Sequence, residues 1–275
     1  MLCPSSARPS AVKPWLEDLL TSACETVLAA WPRRAPTRAQ LERAVIVAHR
    51  GERDGVAVKE NTFAAFDPVI AAGVGALEFD VRYTRDAEPV ISHDATLKRV
   101  FGLDRAIADM DWATLRARVP AVPHLDEMLA RYARRATLMI ELKERGSARG
   151  ETRLHTALSD LTPARDFYFL SLEPALFAAC GDEPEAARIP VAKTNWARMR
   201  DWTLTHDCGG IAGPFVFIGR RDIARLTAES AFIGSGFIRR RGLLMREIGR
   251  DIPWLFTNRP LALQRMLDQA RRRRA

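Results

Sequence analysis

Residues 44–272 repeat one rhythm, and that rhythm limits what this chain can become. Eight short apolar runs recur: AVIVAHRG (44–51), ALEFDV (76–81), TLMIELK (137–143), FYFLSL (167–172), IPVAKT (189–194), GGIAGPF (209–215), AFIGSGFI (231–238) and PWLFTN (253–258). Each is followed by a stretch with helical spacing of apolar residues, at 61–73, 125–135, 150–161, 174–180, 195–208, 220–230, 239–249 and 260–272. Near-continuous apolar strands alternating with amphipathic helices form a parallel sheet covered on its faces. Eight such units predict an α/β chain closed into a (β/α)8 TIM barrel. A doubly wound open sheet is the alternative, but it more often carries a glycine-rich phosphate loop after its first strand. GERDGVAV (51–58) is not that loop.

The rhythm also marks the parts that stand outside it. Residues 1–43 read as a leader with a helical extension: an amphipathic helix at 14–31, then a short helix at 37–43 capped by Thr37. The barrel spans 44–275. Residues 95–124 show no strong element and read as an insertion after the second strand. Pro68 shortens or kinks the first barrel helix, because an interior proline loses a hydrogen bond and clashes with the preceding turn.

Composition adds exclusions. Hydrophobic residues make up 47% of 275, enough for a large core. No run reaches the apolar length of a membrane span, and the first residues lack the apolar block of a secretory signal. Four scattered cysteines without a paired spacing point to a reducing, cytoplasmic setting, with the thiols as small buried hydrophobes. The net charge is +8, concentrated in IRRRG (238–242) and RRRRA (271–275). Charge alone is a weak nucleic-acid footprint, and no zinc-finger or aromatic RNA-binding pattern accompanies it, so nucleic acid is not expected as a partner. A homodimer through the helix at 14–31 is left open.

Polarity inside the strands is the functional signal. The first strand ends in His49 and Arg50, the second carries Glu78 and Asp80, and the third ends in Glu141 and Lys143. Period-two spacing sends alternate residues to one side of the sheet. In a barrel, the C-terminal ends of the strands form the functional mouth. Three carboxylates meeting there would repel one another unless a cation joins them. An all-oxygen set favours a hard divalent ion, Mg²⁺ or Ca²⁺. The alternative is ion pairing with Arg50 or Lys143, which are also suited to holding a phosphate. His49 and His93 next to that mouth fit a general acid and a general base. His124, His155 and His206 read as structural or exposed. Asn61 and Thr62 read as helix caps.

Taken together, AHRG (48–51), ENT (60–62), LEFDVRYTRD (77–86), PVISHDATL (89–97) and MIELK (139–143) resemble the glycerophosphodiester phosphodiesterase family, whose barrels are related to phosphatidylinositol-specific phospholipase C. FLSLEPALF (169–177) and FTNRP (256–260) extend the resemblance more weakly. The resemblance implies a TIM barrel with a small insertion after the second strand. It implies one divalent cation on Glu78, Asp80 and Glu141, an acid/base pair of His49 and His93, and phosphate contacts from Arg50 and Lys143. Glu60, Asn61 and Asp94 then support these groups. The implied reaction is hydrolysis of a glycerophosphodiester to glycerol 3-phosphate and an alcohol, by water or through a cyclic phosphate. A lysolipid cleaved in lysophospholipase D fashion is one alternative, and a degenerate barrel that only binds phosphodiesters is another. Three departures bear on substrate choice. AFIGSGFI replaces the family's usual Trp-Thr at the seventh strand, Asn258 stands where an aspartate is usual, and KRVFG follows HDATL.

Overall fold

The computed structural model describes residues 35–274. The helix expected at 14–31 lies outside them. All eight apolar runs are parallel barrel strands: β1 (Val45–His49), β2 (Ala76–Tyr83), β4 (Thr137–Leu142), β5 (Phe167–Ser171), β6 (Arg188–Pro190), β7 (Gly210–Pro214), β8 (Phe232–Gly236) and β9 (Trp254–Thr257). The additional strand β3 (Pro89–Ile91) runs antiparallel to β2 and lies off the ring. The order around the ring is β6-β5-β4-β2-β1-β9-β8-β7, and a single parallel bridge from Val191 to Ala212 joins its two ends.

Alternation divides each strand between two environments. Val47, Ala76, Met139, Leu170, Ile189, Ala212 and Phe256 fill the barrel interior. Their chain neighbours Ile46, Ala48, Leu77, Phe79, Leu138 and Ile140 point outward into the core shared with the helices. This two-layer filling is what a closed barrel requires.

The helical layer comprises α1 (Arg38–Arg43), α2 (Phe63–Ala71), α3 (Lys98–Phe101), α4 (Trp112–Arg118), α5 (Leu125–Tyr132), α6 (Ala148–Leu158), α7 (Trp196–Thr205), α8 (Arg220–Ala228), α9 (Arg241–Gly249) and α10 (Pro260–Arg272). Thr37 caps α1 as expected, in a capping box with Gln40. Pro68 stays inside α2, which is shorter than its apolar pattern. Residues 174–180 form a 3-10 helix rather than an α-helix.

The insertion is more ordered than its sequence suggests. It holds α3, α4 and a 3-10 turn at Ile107–Asp109. Leu97, Ile107, Met110, Leu115, Val119 and Val122 close with Val90 of β3 into a separate small core. Its apolar residues are too irregularly spaced to show a period, so their role emerges only in three dimensions.

Candidate active site

The register of three strands assembles the site. His49 pairs with Glu78 across β1 and β2, and Asp80 pairs with Glu141 across β2 and β4. Because each residue sits an even number of positions above an interior residue of its strand, all four point into the barrel mouth. Glu78, Asp80 and Glu141 are buried, and one carboxylate oxygen from each lies within 4.8 Å of the others. Burial pushes Glu78 well above the usual carboxylate range, helped by the charges of Asp80 and Glu141. Burial, then the charge of Asp80, raises Glu141 too. Burial opposes the Asp80 carboxylate as well, but Arg50 and Lys143 outweigh it and hold Asp80 ionised. Asp80 Oδ1 is buried without a hydrogen-bond partner. A crowded, all-oxygen set with an orphaned lone pair fits a hard divalent cation.

Two cations stand over the carboxylates. Arg50 Nε is 3.0 Å from Asp80 Oδ2, and its Nη1 donates to Glu60 Oε1 at 3.2 Å. Lys143 Nζ donates to Glu141 Oε1 at 2.7 Å and lies 3.5 Å from Asp80 Oδ1. Arg50 adopts a left-handed backbone (φ 59°), an uncommon state for a residue with a side chain. Gly51 follows at φ +83°, and a Cβ there would lie 2.7 Å from Ala65. The glycine of AHRG is therefore required by both conformation and space, as the loop leaving β1 lies directly on α2. Asn61 does not cap that helix. Thr62 does so alone, accepting from the Ala65 N–H, while Asn61 Nδ2 donates to Asp80 Oδ2 at 2.7 Å.

The two histidines are held differently. His49 is mostly buried, with Nε2 3.9 Å from Glu78 Oε2 and Nδ1 2.6 Å from Asn258 Oδ1. Arg53 donates to that same Asn258 oxygen at 3.0 Å, which identifies it as the acceptor end of the amide. Nδ1 of His49 then carries the proton, and the lone pair of Nε2 faces the cleft. Burial, with Arg50 next in importance, lowers His49 to about 3 and keeps it neutral. His93 reaches the mouth because β3 folds back along β2, with the Ser92 N–H donating to the Asp80 carbonyl at 3.0 Å. His93 Nδ1 lies 2.6 Å from Asp94 Oδ1, and Arg99 donates to Asp94 Oδ2 at 2.6 Å. Burial works against the Asp94 carboxylate, but hydrogen bonds from Arg99 and His93 prevail and bring it to about 2. Arg99 also donates to Glu60.

The proposed site residues thus converge on one place, with His49, Arg50, Glu78, His93, Glu141 and Lys143 lining a cleft of about 370 Å³ and Asp80 beneath it. Arg53, Arg99 and the His49 contact of Asn258 were not anticipated. Arg53 and Arg99 carry no spacing signal, and Asn258 was visible only as a departure from the family pattern. The other histidines sit elsewhere. His124 caps α5, His155 Nε2 lies 2.9 Å from the Ala179 carbonyl, and His206 Nδ1 lies 2.9 Å from the Trp202 carbonyl.

Known proteins are similar to this chain in sequence and in fold. The chain is 33% identical over 109 residues to the putative glycerophosphodiester phosphodiesterase YhdW of Bacillus subtilis, covering 36% of this chain and 44% of that protein. It is 41% identical over 56 residues to the lysophospholipase D GDPD1 of Rattus norvegicus, covering 20% and 18%. The chain thus matches less than half the length of either curated relative. The glycerophosphodiester phosphodiesterase structure from Thermotoga maritima superposes with a TM-score of 0.69 at 21% identity, over 81% of this chain and 98% of that one. An Oleispira antarctica phosphodiesterase in complex with the product sn-glycerol-3-phosphate gives 0.68 at 21% identity, over 82% and 96%. At that identity the two structures speak for the fold. The glycerophosphoryl diester phosphodiesterase family model matches residues 49–191, the part of the chain that builds the carboxylate cluster and supplies both histidines, and the chain belongs to that family.

Proposed function

We propose that this chain hydrolyses glycerophosphodiesters to glycerol 3-phosphate and an alcohol. The observation that carries the reading is the buried carboxylate cluster flanked by two histidines and two cations in one cleft. Glu78, Asp80 and Glu141 would hold one Mg²⁺ or Ca²⁺, supplying Lewis-acid polarisation of the phosphate and neutralising the carboxylates. Arg50 and Lys143 bind the non-bridging phosphate oxygens, the first through a planar fork and the second as a point charge. His49, held neutral with Nε2 open to the cleft, takes the proton from the attacking oxygen. Burial lowers His93, against the pull of Asp80 and the Asp94 hydrogen bond; with Nδ1 held by Asp94, the ring is placed to pass a proton to the departing alcohol oxygen. Glu60 and Asn61 hold Arg50 and Asp80 in place. The buried free thiols of Cys180 and Cys208 are in keeping with a cytoplasmic setting.

A second reading, an acylated lysophospholipid substrate, is favoured by the other half of the cleft. Leu170, Leu172, Val191, Phe237 and Phe256 form an apolar wall facing the polar one. One panel tests both readings: glycerophosphodiesters and lysophospholipids with added Mg²⁺ or Ca²⁺, with glycerol 3-phosphate assayed separately from lysophosphatidic acid. Release of glycerol 3-phosphate, abolished by EDTA, is expected. Glu78→Gln should lower kcat/KM on the order of 10³-fold. Binding without product from any substrate would overturn the hydrolytic reading.

A further inference from the structure

Among the described residues, four large hydrophobic side chains are exposed: Val56, Val216, Phe217 and Phe237. All four lie on loops that leave the C-terminal ends of barrel strands. Val56 follows β1, Val216 and Phe217 follow β7, and Phe237 follows β8. These strands belong to one continuous arc of the ring, β7-β8-β9-β1. Among the described residues, the exposed large apolar side chains are therefore confined to one side of one end of the barrel, and Phe237 also lines the cleft.

Charge on the loops after β6 to β9 is one-sided. The loops after β6 (191–195), β7 (215–219), β8 (237–240) and β9 (258–259) contain Lys193, Arg239, Arg240 and Arg259, and no aspartate or glutamate. Arg220 and Arg221 open α8 beside Val216 and Phe217, exposed and in a first turn where a cation opposes the helix dipole. The acidic residues nearest Val56 face backbone groups. Asp54 accepts from the Val56 and Val58 N–H groups, and Glu52 accepts from Leu261 N–H. The terminal arginine run lies at the opposite end of the barrel, where Arg271 donates to the Leu41 and Ala44 carbonyls just before β1.

Apolar side chains ringed by exposed cations match the interfacial zone of an anionic bilayer, apolar groups entering between headgroups and cations meeting their charge. We propose that the β6–β9 side of the barrel mouth docks on an anionic lipid surface, with Val216, Phe217 and Phe237 entering it and Lys193, Arg220, Arg221 and Arg259 on the headgroups. Docked this way, the cleft opens onto the membrane. The docking stands on the surface itself; that the cleft takes substrate from the membrane rests on the hydrolytic reading above.

Vesicle sedimentation of the full chain tests it, with phosphatidylcholine vesicles against vesicles containing about one-third phosphatidylglycerol. The expected result is binding to the anionic vesicles alone, released by salt. Arg220→Glu/Arg221→Glu should lower the partition coefficient by at least about tenfold. Val216→Ser/Phe217→Ser, which removes apolar surface and no charge, should lower it by at least about fivefold. Hydrolysis of glycerophosphocholine is measured on the same preparations, and both variants should keep the wild-type rate. Equal binding to both vesicle types, binding to neither, or vesicle binding unaffected by either variant overturns the docking surface. So does binding to duplex DNA with none to vesicles. Any of these outcomes with glycerophosphocholine turnover intact leaves the hydrolytic reading standing. Vesicle binding without any turnover separates the two in the other direction.

Discussion

His49, the proposed proton acceptor, also carries a stability cost. Its folded-state value of about 3 lies below the ordinary imidazole value of 6.5 because the ring is buried and Arg50 is near. A depressed value means that the folded state holds the ring neutral. Its contribution is unimpaired above about pH 6.5 and is lost as pH falls, because the unfolded chain takes up a proton that the folded one refuses. The slope is about 1.4 kcal/mol per pH unit until the folded ring itself titrates. The stability advantage of wild type over His49→Gln should therefore shrink by about 2 kcal/mol between pH 7.5 and pH 5. Urea unfolding of both at the two pH values measures this, and a constant gap would mean that the ring is not held neutral. The pattern of His49, Glu78, Asp80 and Glu141 was legible from sequence because strand periodicity places such residues without knowledge of partners. The tautomer of His49 was not, since it depends on an amide 209 residues away.

At the scale of elements, strands were easier to read than the excursion between them. The barrel strands are continuous apolar runs, whereas β3 has three residues and was hidden in PVISHD. Yet β3 positions His93, by turning the chain back along β2 until Ser92 reaches Asp80. The small core of the insertion packs on Val90 and so supports that hairpin from outside the barrel. Leu115, fully buried there, is not near the cleft. Leu115→Ala should cost about 2–4 kcal/mol, and the loss should fall first on the insertion rather than on the barrel. Limited proteolysis should then cut between residues 95 and 122 before global unfolding, and turnover should drop through displacement of His93. Cleavage spread evenly over the barrel would show instead that the insertion and barrel unfold as one unit.

At the scale of the molecule, the ring is unevenly closed. β2 and β4 share a register of six residue pairs, whereas β6 meets β7 at one bridge. The eightfold rhythm made a closed barrel legible but could not rank its seams, because seam strength depends on how many residues of each strand reach their neighbour. β6 is only three residues long and ends in Pro190, which has no N–H to donate. The Ala192 N–H, 2.7 Å from the Ala212 carbonyl, spans the seam. Backbone pairs with few neighbours open locally at low free energy. Amide exchange should therefore be fastest among the barrel strands for residues 188–192 and 210–214, and slowest for β2 and β4, which carry the carboxylates. The carboxylate side of the mouth would then be its rigid half. The apolar side, with Val191 and Ala212 at the seam, would be the half able to widen for a bulkier alcohol. Hydrogen-exchange mass spectrometry with and without added Mg²⁺ tests the division. Added ion should slow exchange in β2 and β4 and leave the β6–β7 seam unchanged. Equal protection of all eight strands would remove the seam as the place where this barrel adapts.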